Sequence, residues 1–187
     1  MKKIRCTGFT LTELMITITI VGIVTSMAVP SFSKMLERNR LKEAAHSLKN
    51  DILFARTEAI KRSQNVIVSR IIGNNGAWCY GLTTNNSCDC SASPSTCEIK
   101  SISGTDFNKT NIKSVYMANI GFDFRRGVSV NPATGANITA NTCFSSTNYT
   151  VKVKTSRLGR TRICTNNNST ALIGIDYCTN SESVCAL

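Results

Sequence analysis

The chain has 187 residues, of which 22 are Lys or Arg, 11 are Asp or Glu and one is His, and its formal net charge is +11. This length suffices for one helical stalk and one modest globular domain, and no linker or internal repeat indicates a second domain. The sequence offers no paired carboxylates, no nucleophile with a neighbouring base and no phosphate-binding loop. We therefore expect no enzyme activity and no cofactor.

The N-terminus combines a short basic segment with a long apolar one. Lys2, Lys3 and Arg5 precede an apolar run from Phe9 to Val29. As a helix, this run spans about 30 Å, the thickness of the hydrocarbon core of a bilayer. No basic residue follows it until Lys34. The positive-inside rule then predicts that the N-terminus stays in the cytoplasm while the rest is exported.

Glu13 is the one charged residue within the apolar run. An unpaired carboxylate in a membrane costs on the order of 2 to 3 kcal/mol, so we expect it to have a partner. Cleavage after Gly8 would provide one, because the new α-amino group of Phe9 is a cation four residues before Glu13. An ordinary signal peptide is instead cleaved after its apolar core. The processing site is therefore predicted to lie before the apolar run.

The residues around this predicted site resemble the processing motif of the type IV pilin and pseudopilin family; they are Gly8, Phe9, Thr10, Leu11, Glu13 and Leu14. The resemblance implies that a prepilin peptidase cuts between Gly8 and Phe9, that Phe9 is then N-methylated, and that Glu13 acts in filament assembly. It also implies three further properties: partnership with other pilins, residence in the inner membrane before assembly, and a final place in a pilus at the cell surface.

Beyond the apolar run the helical pattern becomes amphipathic. Apolar residues recur at spacings of four and three and so lie on one stripe; they are Leu41, Ala45, Leu48, Ile52, Ala55 and Ala59. We predict one helix that continues to about Arg62, with this stripe packed on a globular head. Pro30 removes a backbone donor, which predicts a kink or local melting of the helix.

After Ser63 a period of two and frequent turn residues predict a β-rich, mostly antiparallel head. The candidate strands are Val66 to Ile72, Trp78 to Leu82, Ser114 to Ile120, Phe122 to Phe124, Val128 to Val130 and Thr150 to Thr155. The expected fold is an α+β, pilin-like fold. Its predicted parts are a cleaved leader at 1–8, a transmembrane and filament-core helix at 9–33, and a helix-plus-sheet head at 34–187 with an extra Cys-rich tail from about 164.

Eight cysteines remain after removal of the leader, which contains the ninth, Cys6. An even number in an exported domain predicts up to four disulfides, although the connectivity stays open. A metal site formed by Cys88, Cys90 and Cys97 is the alternative, and zinc sites more often use pairs of cysteines separated by two residues. The disulfide candidates are Cys79, Cys88, Cys90, Cys97, Cys143, Cys164, Cys178 and Cys185.

A strongly basic segment lies between Asp123 and Asp176, where the sequence has no acidic residue. Such one-sided charge indicates a polyanion site. A two-residue turn at Leu158-Gly159 would place Arg157 opposite Arg160, with Arg162 on the same face. Like charges so close favour an anion between them, and Arg suits phosphate. The candidate residues for binding such a polyanion are Lys152, Lys154, Arg157, Gly159, Arg160 and Arg162.

The segment Gly159-Arg160-Thr161-Arg162 resembles the GRxR motif of FimT-type minor pilins, within the GspH/FimT group. This resemblance implies a minor pilin that binds extracellular double-stranded DNA without sequence preference, for uptake during natural transformation. The alternative is a structural minor pilin, or a type II secretion H-like pseudopilin, that initiates or caps the filament. An exposed strand edge protected by Lys and Arg would also explain the charges without any ligand.

Overall fold

The computed structural model describes residues 8–165, 172, 174–178 and 185. The chain forms two compact units, one ending at Leu36 and one beginning at Glu37, which we call the head. The elements in chain order are α1 (Leu11–Arg62), β1 (Val66–Ile71), β2 (Cys79–Thr83), β3 (Lys100–Ser103), a 3₁₀ turn (Gly104–Phe107), β4 (Asn111–Tyr116), β5 (Asn119–Phe122), β6 (Ser129–Val130), β7 (Ala140–Ser145), β8 (Thr150–Thr155) and β9 (Thr161–Thr165).

The N-terminal part of α1 begins at a threonine cap. The Thr10 hydroxyl accepts a hydrogen bond from the backbone N–H of Glu13 at 3.2 Å, a typical N-cap contact. Hydroxyl groups within the apolar run donate to the helix itself; Thr25, for example, bonds the carbonyl of Val21 at 2.8 Å. These polar side chains therefore remain hydrogen-bonded in a segment that is long and apolar enough to cross a membrane.

The expected melting at Pro30 is not observed, because α1 is helical on both sides of this residue. Proline removes one backbone donor only, and the neighbouring turns keep the helical path. The predicted leader lies outside the described residues, apart from Gly8. Phe9 is 78% exposed, and the large apolar side chains from Leu11 to Met35 are at least half exposed. They form an apolar surface that matches a membrane or a bundle of similar helices.

Two antiparallel sheets form the head. The five-stranded sheet has the order β3-β2-β1-β5-β6, and the four-stranded sheet has the order β4-β7-β8-β9. The predicted stripe of α1 is buried in a core that it shares with residues of both sheets, and each of its six residues is at most 1% exposed. Trp78 stacks on Phe107 and meets Phe144 edge to face, with ring centroids 5.6 and 5.3 Å apart. The α+β fold with one long helix on antiparallel sheets is confirmed.

The predicted strand from Ser114 to Ile120 is wrong, because the chain changes sheet within it. β4 ends at Tyr116, Met117 has a φ of 62°, and β5 starts in the other sheet at Asn119. The buried Arg70 on β1 fixes this crossover, since its guanidinium donates to the carbonyls of Met117 and Ala118 and to the Thr142 hydroxyl on β7. Burial lowers the pKa of Arg70 to about 10.

A polar network connects α1 to the five-stranded sheet inside the core. Asp51 accepts hydrogen bonds from Lys100 on β3 at 2.6 Å and from the Tyr80 hydroxyl on β2 at 2.9 Å, and that hydroxyl also meets Ser47 at 2.8 Å. Burial is the main cause that raises the pKa of Tyr80. Because β3 carries only four residues, this ion pair adds a fixed point where the sheet edge meets the helix.

Four disulfides are formed, as predicted, and each sheet carries two of them or their neighbouring segments. Cys79–Cys90 and Cys88–Cys97 fix the segment after β2 across the five-stranded sheet, where the Cys88 N–H donates to Ser69. Cys143–Cys185 and Cys164–Cys178 fix the C-terminal tail on the four-stranded sheet. These pairs leave Cys88, Cys90 and Cys97 without a free thiolate for the metal site considered above.

Candidate nucleic-acid interface

The hairpin between β8 and β9 has a three-residue loop, so the predicted two-residue turn is wrong. The Ser156 N–H donates to the carbonyl of Arg160, and the Gly159 N–H donates to the carbonyl of Ser156, both at 2.8 Å. Gly159 adopts a φ of 75°. Such a left-handed conformation is expected at the last position of a three-residue hairpin loop, where glycine is common. Arg157 therefore lies in the loop, and the strand register pairs Arg162 with Lys154.

The tip of this hairpin packs on the loop between β5 and β6 and on Ser129, the first residue of β6. The backbone N–H of Ser129 donates to the carbonyl of Arg157 at 3.1 Å, and its hydroxyl donates to the carbonyl of Ser156 at 2.7 Å. A Cβ built on Gly159 would lie 2.7 Å from the carbonyl oxygen of Gly127. The glycine of the GRxR sequence thus permits both the left-handed turn and the contact between the two loops.

Asp123 shapes the second loop, which presents Arg125 and Arg126. Its Oδ1 accepts from the backbone N–H groups of Arg125 at 3.0 Å and Arg126 at 2.8 Å, and its carbonyl accepts from Gly127. The hydrogen bond from the Arg126 backbone is the largest cause of the lowered pKa of Asp123. The Arg125 guanidinium carbon lies 5.2 Å from the centre of the Phe124 ring, a cation–π distance.

Arg56 on α1 joins the two loops, and the sequence pattern did not indicate this role. A Cβ built on Gly127 would lie 3.0 Å from Arg56 Nε, and one built on Gly159 would lie 3.4 Å from the same atom. The guanidinium therefore reaches the point where the loops meet. Arg56 lies off the buried helical stripe, which shows only that it faces away from the core; which loops it meets depends on tertiary packing.

We call the resulting surface the arginine patch: Arg56, Arg125, Arg126, Arg157, Arg160 and Arg162. All but the half-buried Arg56 are exposed. Among the ion pairs of the described part of the chain, only Asp123 with Arg126, at 3.6 Å, lies in this patch. Many positive charges with one neutralising carboxylate form a surface suited to a polyanion.

The two lysines predicted as DNA contacts differ in position. Lys152 is only 4% exposed and stands between Cys143 and Cys164 in the strand register. It does not reach the surface, so we leave it out of the proposed contacts. Lys154 is half-buried beside Arg162. The cysteines on both sides of Lys152 form disulfides with Cys185 and Cys178, whereas the hairpin arginines are exposed.

Within the head, the arginine patch and the β7–β8 turn contact distant parts of the same helix. Asn148 in that turn donates to both carboxylate oxygens of Glu37, at 2.9 Å from its backbone and 3.0 Å from its side chain. Arg56, which contacts the patch loops, lies 19 residues further along α1, or about 28 Å at 1.5 Å per residue. The patch is therefore at the end of the head away from Glu37.

Comparison with known families assigns the chain. Residues 44–169 match the family described as "Type II transport protein GspH", and residues 3–29 match the prokaryotic N-terminal methylation motif. The first match covers more than half of the chain, so the protein belongs to the GspH family: it is a minor type IV pilin or pseudopilin of the GspH type. Such pilins are structural rather than catalytic, are anchored in the membrane and assemble with other pilins after processing by prepilin peptidase.

A solved structure supports the fold. The type IV minor pilin FimU of Pseudomonas aeruginosa aligns over 70% of this chain and 90% of its own, with a TM-score of 0.50 and 19% sequence identity. A second crystal form of FimU aligns over 69% and 96%, with a TM-score of 0.49 and 15% identity. No curated protein sequence gives a match. At this identity the likeness establishes the pilin-like fold alone.

Proposed function

We propose that the protein is a minor type IV pilin whose arginine patch binds extracellular double-stranded DNA for uptake in natural transformation. The observation that carries the proposal is the contact between two loops that each present exposed arginines, with Asp123 as the one acid paired to them in the described residues. Guanidinium groups bind phosphates through two parallel hydrogen bonds, and backbone contacts of this kind carry no sequence information. The binding is therefore non-specific.

The proposed topology places this patch outside the cell. The leader, residues 1–8, stays cytoplasmic until the peptidase cuts between Gly8 and Phe9; Phe9 is then methylated, and the head is periplasmic before assembly. Four disulfides agree with an oxidising compartment. Because the patch lies at the end of the head away from Glu37, we infer that it stays accessible once the helix is packed among other pilins.

A purely structural role is the second candidate, favoured by the description of the matching family as a type II transport protein. In that role the protein would initiate or cap a pilus or a type II secretion pseudopilus, and the arginine patch would contact a neighbouring subunit. The two candidates differ in what loss of the patch removes: DNA capture in the first case, filament formation in the second.

A strain that carries Arg160→Ala and Arg162→Ala tests the proposal. We expect normal pili and a strong loss of DNA uptake and transformation, because exposed arginines contribute little to folding. A strain with Lys109→Ala and Lys113→Ala is the matched control. These exposed lysines lie near the end of the four-stranded sheet where β4 pairs with Ser145, away from the hairpin. Loss of pili together with uptake in the arginine variant would support the structural role instead.

A further inference from the structure

One residue from each strand of the four-stranded sheet stands in a single row on its outer face. The register pairs Tyr116 with Asn141, Asn141 with Lys154, and Lys154 with Arg162. Directly opposed residues of antiparallel strands point to the same face, and neighbouring strands lie about 4.8 Å apart. The row, which we call the sheet row, therefore runs about 14 Å from the β4 edge to the β9 edge.

Both ends of the sheet row are exposed, whereas the adjacent row of the same face is buried. Tyr116 is 61% exposed and Arg162 is exposed, with Asn141 and Lys154 half-buried between them. In the next row Cys143, Lys152 and Cys164 are all buried, and two of these three residues anchor the tail. The sheet row thus lies one row away from the two disulfide-bonded cysteines, on the side of the arginine patch. Arg162 belongs to both surfaces.

The exposed tyrosine at one end of the sheet row offers an aromatic ring, which phosphate binding alone does not need. Aromatic rings on an open sheet stack on unpaired bases, and neighbouring cations hold the backbone of the same strand. The bases of a duplex already stack on each other, so a tyrosine ring has no base face to contact except at a duplex end. Cations without an aromatic group would suffice for double-stranded DNA.

We propose that the sheet row binds single-stranded DNA, with Tyr116 stacked on a base and with Lys154 and Arg162 near its phosphates. This inference rests on the proposed DNA-binding function and adds a second substrate form to it. A strand that leaves a frayed or processed duplex at the arginine patch would pass directly onto the sheet row through the shared Arg162.

The test compares the full-length chain, purified in a neutral detergent, with Tyr116→Ala and Tyr116→Phe. Tyr177→Ala is the matched control, because Tyr177 is also an exposed tyrosine, at 52%. Fluorescence anisotropy would measure the affinity of each protein for a labelled single strand, for a fully abasic strand of the same length, and for a blunt duplex. Thermal unfolding would confirm that each variant is folded.

We expect Tyr116→Ala to weaken binding of the single strand about fivefold or more, as loss of one base–aromatic stack does. The duplex and the abasic strand should bind both proteins within about twofold, and Tyr116→Phe and Tyr177→Ala should behave as wild type. An equal affinity of wild type and Tyr116→Ala for the single strand would overturn the inference. So would an equal loss on the abasic strand.

The outcomes separate this inference from the proposed function. Duplex binding that depends on Arg160, without an effect of Tyr116 on the single strand, would leave the proposed function in place and remove the sheet row. Single-strand binding that depends on Tyr116, without duplex binding, would support the sheet row and overturn the binding of duplex DNA by the arginine patch. Absence of binding to both forms would overturn both.

Discussion

Gly159 and Gly127 touch backbone to backbone: a Cβ on Gly159 would lie 2.7 Å from the Gly127 carbonyl oxygen. Both residues have positive φ values, 75° and 61°. The Arg56 side chain lies against the same two glycines. The position of the hairpin arginines relative to the second arginine loop therefore depends on the absence of a side chain at Gly159.

Gly159→Ala should destabilise the head by about 2 to 4 kcal/mol, since it adds a steric clash to the cost of about 1 to 2 kcal/mol for a left-handed alanine. Gly135→Ala is the matched control, because Gly135 has a φ of 68° but no atom within 4 Å of its built Cβ. It should show only the backbone cost. Denaturant unfolding measures both variants, and an equal destabilisation would show that the contact with Gly127 is not tight.

The disulfide connectivity should be visible in the purified protein. Non-reducing peptide mapping should give Cys79–Cys90, Cys88–Cys97, Cys143–Cys185 and Cys164–Cys178, with a mass eight hydrogens below that of the reduced chain. Each bond contributes roughly 2 to 4 kcal/mol, so reduction should lower the Tm markedly. A different pairing, or free thiols among these eight cysteines, would contradict the disulfides described above.

The contact of Glu37 with Asn148 should make stability depend on pH. Burial acts to raise the pKa of Glu37, but the hydrogen bonds from Asn148, Ser146 and Thr147 together outweigh it and lower the pKa below the ordinary value of 4.5. The contact therefore stabilises the fold above about pH 4.5 and is lost as the pH falls through the folded pKa. Glu37→Gln should lower the Tm at pH 7, and the difference from wild type should shrink towards pH 3. A constant difference would contradict this account.

Replacement of Glu13 should separate its charge from its place in the first helical turn. We expect Glu13→Val to insert in the membrane but to fail in filament assembly, because the amine of a processed Phe9 loses its carboxylate partner. Glu13→Gln keeps a polar side chain near the Thr10 cap and removes only the charge. Both variants should be absent from sheared pili, as measured by immunoblotting. Normal incorporation of Glu13→Gln would show that the charge is not needed.

Local pattern predicted the helix well, since the spacing of apolar residues from Leu41 to Ala59 depends only on the period of α1. It predicted the sheets less well. β3 and β7 were missed because Lys100–Ser103 and Ala140–Ser145 are rich in Ser, Thr and Asn, and they form strands through their pairing with β2 and with β4 and β8. The crossover at Met117 likewise depends on a hydrogen bond from the buried Arg70, which lies far away in sequence. A local sequence pattern does not predict such a contact.

For the candidate site too, the sequence indicated the local features and missed those that depend on tertiary packing. The sequence indicated the hairpin arginines through their charge pattern and the GRxR resemblance. It did not indicate Arg56 or the burial of Lys152, because these depend on which loop packs on α1 and on where the tail is fixed. The turn was mispredicted because a three-residue and a two-residue loop both accept glycine at Gly159, and only the hydrogen bonds to Ser156 distinguish them.

The most direct test of the central claim is the salt dependence of duplex DNA binding by the full-length chain in neutral detergent. Each arginine that neutralises a phosphate contributes about 0.9 to the slope of log K against log salt concentration, so Arg160→Ala with Arg162→Ala should flatten the slope by nearly two units. Lys109→Ala with Lys113→Ala should leave it unchanged. An unchanged slope in a folded Arg160→Ala/Arg162→Ala variant would contradict DNA binding by the arginine patch.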